Sequence, residues 1–130
     1  MKKRILVIED NDQNLYLVTF LLERRGFEVI AARDGLGGIQ TAVREVPDLI
    51  LLDIQLPLMD GYDVAARLRD ATELSHVPIV AVTSYAMAGD REKALASGCS
   101  GYIVKPINPD TFLAEIEAYL APAATEGEQP

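Results

Sequence analysis

The sequence predicts an α/β fold built on a doubly wound parallel sheet. Three observations carry that prediction. Short, unbroken aliphatic runs recur along the chain between charged or turn residues, and continuous rather than alternating apolar runs mark strands covered on both faces. Segments with apolar residues at helical spacing lie between these runs. The 130 residues accommodate such alternation within a single domain, and parallel strands require crossover helices that cover both faces of the sheet.

The first strand is Ile5-Leu6-Val7-Ile8, closed by Glu9 and Asp10. A helix follows, with Leu15, Val18 and Leu22 at helical spacing, Asp12 as the expected cap and Gly26 as the stop. Phe27 to Ala32 reads as the second strand, and residues 36–45, which open Leu-Gly-Gly, as a less regular second helix. Leu49-Ile50-Leu51-Leu52 is the third strand and ends at Asp53; Val64 and Leu68, after Asp60-Gly61, mark the third helix. Ile79-Val80-Ala81-Val82 is the fourth strand. The helix expected over residues 86–97 contains a Gly-Asp break at 89 and 90, so it is predicted to be the weaker or more mobile one. Tyr102-Ile103-Val104 completes the strands, and Leu113, Ile116 and Leu120, after Asp110, define the fifth helix.

Assembled, these elements predict a flavodoxin-like, doubly wound five-stranded parallel sheet in the order 2-1-3-4-5 with five helices. Residues 1–120 form the expected domain. Residues 121–130, Ala-Pro-Ala-Ala-Thr-Glu-Gly-Glu-Gln-Pro, lack periodicity and are expected to be a disordered tail or a truncated linker.

Composition narrows the function classes. Apolar residues make up 49% and charged residues 25%, ordinary for a globular chain, while 12 basic against 20 acidic residues give a net charge of −8. That charge, with no basic cluster beyond Lys2, Lys3 and Arg4, argues against direct nucleic-acid binding. Cys99 is the single cysteine and can form no internal disulfide. The amino terminus does not fit a signal peptide, and no apolar run approaches the about 18 residues of a membrane span. A soluble, cytoplasmic protein is expected.

In open parallel sheets ligands bind outside the carboxyl ends of the strands. The residues delivered there are Glu9 and Asp10, Asp53, Thr83 and Lys105. Glu9 and Asp10 alone would read as a solvated pair near a helix start, Thr83 as a β-former and Lys105 as a surface lysine. Their shared edge gives them a joint reading. Carboxylates buried together without compensation are costly, and a divalent cation removes the repulsion: carboxylates, a backbone carbonyl and waters make the oxygen shell Mg²⁺ prefers, and Mn²⁺ takes the same donors. Such a site has a carboxylate nucleophile, a mobile cation and a hydroxyl, the parts needed to transfer a phosphoryl group onto an aspartate of the protein itself.

These residues in this order resemble the receiver domain of two-component response regulators over residues 3 to 120. The segments that carry the resemblance are Ile5 to Asn11, Asp48 to Asp53, Leu56-Pro57-Leu58-Met59-Asp60-Gly61, Val80 to Ser84 and Gly101 to Pro106. The resemblance implies that Asp53 is the phosphoacceptor, that Asp10 ligates Mg²⁺ directly, Glu9 through water and Gln55 by its backbone carbonyl, and that Thr83 and Lys105 hold the phosphoryl oxygens. It places a cis peptide at Lys105-Pro106, which an X-Pro bond tolerates, and a switch aromatic at Tyr102. The family more often has two aspartates where this chain has Glu9 and Asp10. The resemblance puts Gln55 and Tyr85 at variable positions that in the family influence dephosphorylation.

The implied function is a phosphoryl-accepting signalling switch of a two-component system or phosphorelay. A histidine kinase or histidine phosphotransfer protein would donate, and the surface of the fourth helix, fifth strand and fifth helix would change for a downstream protein target. Glu9-Asp10-Asn11 with Asn14 resembles receivers of hybrid kinases and phosphorelay shuttles more than those of transcription factors. A single-domain regulator acting through protein contacts is expected, with a receiver cut from a longer chain as the other reading. It is not expected to be an enzyme beyond self-phosphorylation and slow autodephosphorylation. The competing class is a metal-dependent phosphatase-type hydrolase with an aspartyl intermediate, although no insertion offers a substrate cap. A nucleotide binder would need a phosphate-cradling turn where Glu9-Asp10-Asn11-Asp12 stands. Outside this constellation, Cys99 reads as a small core hydrophobe, His76 as a loop residue and Met59 as loop packing.

Overall fold

The structure, a computed structural model, describes residues 2–84 and 88–120. Five parallel strands, β1 (Arg4–Ile8), β2 (Glu28–Ala32), β3 (Leu49–Asp53), β4 (Ile79–Thr83) and β5 (Gly101–Val104), form one sheet in the order β2-β1-β3-β4-β5. The helices are α1 (Asp12–Arg24), α2 (Gly35–Glu45), α3 (Gly61–Asp70), α4 (Asp90–Ala96) and α5 (Pro109–Leu120), with a 3-10 turn at Thr72–Leu74. The predicted class and strand order are those observed.

Two apolar layers flank the sheet, because the period of two along each strand sends neighbouring side chains to opposite faces. Leu6 and Ile8 of β1 and Ile50 and Leu52 of β3 join Ala42, Val64, Leu68 and Ala94 from α2, α3 and α4. Ile5 and Val7 join Leu49 and Leu51, Leu15, Val18 and Leu22 of α1, and Phe112 and Ile116 of α5. Every residue of β3 and β4 is buried, as their unbroken aliphatic runs require.

Three local features differ from expectation. Asn11, not Asp12, caps α1: its backbone is extended and its side chain accepts from the Asn14 amide, while Asp12 is the first helical residue and pairs with Arg33. Helix α5 begins at Pro109, and Asn108 accepts from the Asp110 amide, consistent with proline's fitness for a first helical position. Its buried stripe is Phe112 and Ile116, so Leu113 and Leu120 flank the core instead of centring on it. The fourth helix is short, seven residues from Asp90; Tyr85 and the expected tail at 121–130 lie outside the described residues.

Candidate functional site

Strand register assembles the site. Ile8 pairs with Leu52, so Glu9 emerges beside Asp53; Asp53 pairs with Val82, one residue before Thr83; Thr83 pairs with Val104, and the Lys105 amide donates to the Thr83 carbonyl across 2.7 Å. Four adjacent strand ends therefore place Glu9, Asp53, Thr83 and Lys105 side by side. They straddle β1 and β3, where the strand order reverses and doubly wound sheets bind ligands.

Glu9, Asp53 and Thr83 are buried, at 4%, 4% and 2% exposure. One carboxylate oxygen each from Glu9, Asp10 and Asp53 lies within 4.8 Å of the others. The expectation of three buried carboxylates needs correction: Asp10 is exposed. The Glu9 amide still donates to the Ala32 carbonyl, continuing the β1–β2 ladder, whereas Asp10 lies past the sheet at its mouth. Lys105 is no surface lysine. Its Nζ stands 3.4 Å from Asp53 Oδ2 and 3.5 Å from Glu9 Oε1, with the side chain 14% exposed.

The electrostatics follow from this packing. Burial, then the neighbouring Asp53 carboxylate, pushes the Glu9 carboxyl up to about 7, against the pull of the Asn11 amide and Lys105. The Lys105 ammonium thus pairs with the two buried carboxylates, while the exposed Asp10 adds a third to the same cluster. This all-oxygen donor set, deficient in positive charge, fits a hard divalent cation.

Gln55 ties the site together. Its amide donates to Asp53 Oδ1 across 2.9 Å, and its side-chain oxygen accepts from the Ser84 amide across 2.7 Å. At Gly61 an added Cβ would lie 2.4 Å from the Ile54 Cα, so only glycine lets α3 start against the backbone that follows Asp53. The sequence reading missed both the Ser84 amide and this role of Gly61; a glycine after a capping Asp is a signal for a close approach, but nothing local names the partner.

The Lys105-Pro106 peptide is cis. Tyr102 is half-buried on β5 and packs against the layer under α3 and α4. Cys99 is buried, which lifts its thiol to about 11; His76 is exposed and Met59 packs partly into the core.

Residues 5–117 match the model of the response regulator receiver domain family. The chain belongs to that family. It is 44% identical over 123 residues to the polar-differentiation response regulator DivK of Brucella anthropi, covering 95% of this chain and all of the relative. Among solved structures it is similar to the receiver domain of the sensor histidine kinase PA1611 of Pseudomonas aeruginosa, described with a magnesium ion coordinated in the active site cleft. The TM-score there is 0.86 at 31% identity, over 94% of this chain and all of that one. The chemotaxis response regulator CheY4 of Vibrio cholerae gives a TM-score of 0.87 at 26% identity, over 92% and 99%.

The receiver is a phosphoryl-accepting switch of two-component signalling, DivK-like in its similarity, and the hydrolase alternative is not favoured. Among the described residues no helix is long and apolar enough to cross a membrane.

Proposed function

We propose that residues 1–120 form a cytoplasmic receiver unit in which Asp53 accepts a phosphoryl group from a phosphohistidine donor, a histidine kinase or a histidine phosphotransfer protein. The observation that carries this reading is the placement of Asp53: a buried carboxylate at the end of β3, with Lys105 Nζ 3.4 Å away and Glu9 and Asp10 in the same cluster. An oxygen of Asp53 forms the new P–O bond as the donor's P–N bond breaks, and the electron pair leaves on the imidazole nitrogen. Lys105 and the Thr83 hydroxyl meet the phosphoryl oxygens, and burial keeps water from competing.

Mg²⁺ fits the donor set as the resident ion: Asp10, Asp53 and the Gln55 backbone carbonyl would hold it directly and Glu9 through water, and Mn²⁺ would take the same donors. When bound, it supplies positive charge against which the phosphoryl oxygens are neutralised. The chain is otherwise no enzyme: it accepts the group and releases it slowly to water.

Phosphorylation raises the charge on Asp53 from −1 to about −2. Thr83 then turns toward the new acceptor and Tyr102 moves inward, shifting a pre-existing equilibrium of the α4–β5–α5 face. That face offers a downstream protein target exposed Leu95 and Val104. No direct nucleic-acid or membrane contact is part of this function.

Incubating wild type and Asp53→Asn with acetyl phosphate and Mg²⁺, with and without EDTA, tests the reading. Intact mass should rise by one phosphoryl group only in wild type without EDTA. Labelling that persists in Asp53→Asn places the nucleophile elsewhere and overturns it.

A further inference from the structure

Leu58 is fully exposed and holds a left-handed backbone, with φ +70°. A leucine there is doubly unfavourable in the isolated chain. Its Cβ is crowded in a conformation that glycine or asparagine adopts more readily, and its side chain leaves all its apolar surface in water. The turn does not need it, since the bend is closed by backbone, the Met59 amide donating to the Pro57 carbonyl across 2.8 Å.

Leu58, Pro57 and Met59 face Leu36, itself 57% exposed, across a cavity of about 430 Å³ whose lining also includes Asp34 and Arg67. The walls are held together at Gly35, where an added Cβ would lie 2.7 Å from Val64 Cγ2 and 3.1 Å from Met59 Sδ. The groove is thus preformed between two loops, after β2 and after β3, that leave the same sheet edge as Glu9 and Asp53.

We propose that Leu36, Leu58 and Met59 form a docking groove for an apolar side chain of the histidine-bearing protein donor, with Leu58 helping to select which donor phosphorylates Asp53. The proposal rests on the reading of Asp53 as the phosphoryl acceptor. A donor that brings a histidine to Asp53 must sit on this edge. A standard interface covers about 800 Å² per partner, a disc of roughly 16 Å radius. Leu58 follows Asp53 by five residues, at most about 17 Å of extended chain, so Leu58 stands inside or at the rim of the footprint of a donor centred on Asp53. Binding energy at interfaces concentrates in well-packed pockets that lose their water on association, and a preformed concavity lined by apolar side chains offers one.

Leu58→Asn and Leu58→Gly keep the left-handed turn and delete the apolar surface. Their initial labelling rates are compared with wild type using two kinds of donor: acetyl phosphate or phosphoramidate, and purified autophosphorylated histidine kinases of the same genome, tried one at a time. Small-donor rates should stay within about twofold of wild type, while transfer from the fastest kinase should fall about tenfold and recover in Leu58→Met. Unchanged kinase transfer overturns the proposal, as does an equal loss with the small donors, which would place Leu58 in the chemistry of the site. Wild type labelled by small donors but by no kinase overturns it too. A dimer in sedimentation equilibrium that Leu58→Asn dissolves assigns the groove to a second copy instead. Wild type labelled by neither kind of donor overturns the reading of Asp53 itself.

Discussion

The Ser84 amide donates to Gln55 Oε1 across 2.7 Å and so ties the loop after β4 to the loop after β3. Gln55 meanwhile holds Asp53 through its own amide, so one residue links the proposed phosphoacceptor to the segment that follows Thr83. Gln55→Ala removes the tether and leaves the backbone contact to Asp53 in place. A neutral hydrogen bond contributes about 1 kcal/mol net, so hydrogen exchange at Ser84 should accelerate about fivefold. Global stability should barely change because Ser84 is exposed. Unaltered exchange at Ser84 would show that the tether does not order this loop.

The Glu9 carboxyl predicts a pH dependence of stability for the metal-free protein. Its folded value is about 7 against an ordinary 4.5. Below about 4.5 the group is protonated in both states and its contribution is full. As pH rises toward about 7 the unfolded chain loses the proton that the folded chain retains, so stability falls, by up to roughly 3 kcal/mol. Urea titrations in EDTA should show wild type losing stability across this window relative to Glu9→Gln. Parallel curves would show that Glu9 ionises normally.

Gly61→Ala forces a Cβ into the Ile54 backbone, where neither element can yield easily. Overpacking of this kind costs about 1–3 kcal/mol, and here the strain falls one residue from Asp53. Both the thermal midpoint and the rate of labelling by acetyl phosphate should drop. An alanine variant with wild-type values for both would mean that α3 shifts freely.

Cys99 should behave as a core residue. Burial raises its thiol from 9 to about 11, which leaves little thiolate near neutral pH. A thiol reagent should modify it rapidly in urea and slowly in the folded protein; equal rates would contradict the burial.

The legible part of this molecule was the part written in short-range pattern. Unbroken aliphatic runs identified β1, β3 and β4 because a strand covered on both faces has no polar side to show. Asp60 and Gly61 marked the start of α3 because a cap must satisfy amides within its own first turn. The cap of α1 lies one residue before the expected Asp12 because Asn11 and Asp12 are both good capping types, and what distinguishes them is the extended backbone of Asn11, which aims its side chain at the Asn14 amide.

By itself the sequence determined the five-stranded parallel sheet and the set of polar residues at its carboxyl edge, since both follow from where apolar runs stop. Tertiary structure alone decided that Glu9 is buried and Asp10 exposed, that Lys105 lies between two carboxylates, that Gln55 reaches Ser84, and that Leu58 stands bare beside a groove. Each of these depends on which distant segment lies across the residue. Strand register and helix packing set that, and neighbours along the chain do not.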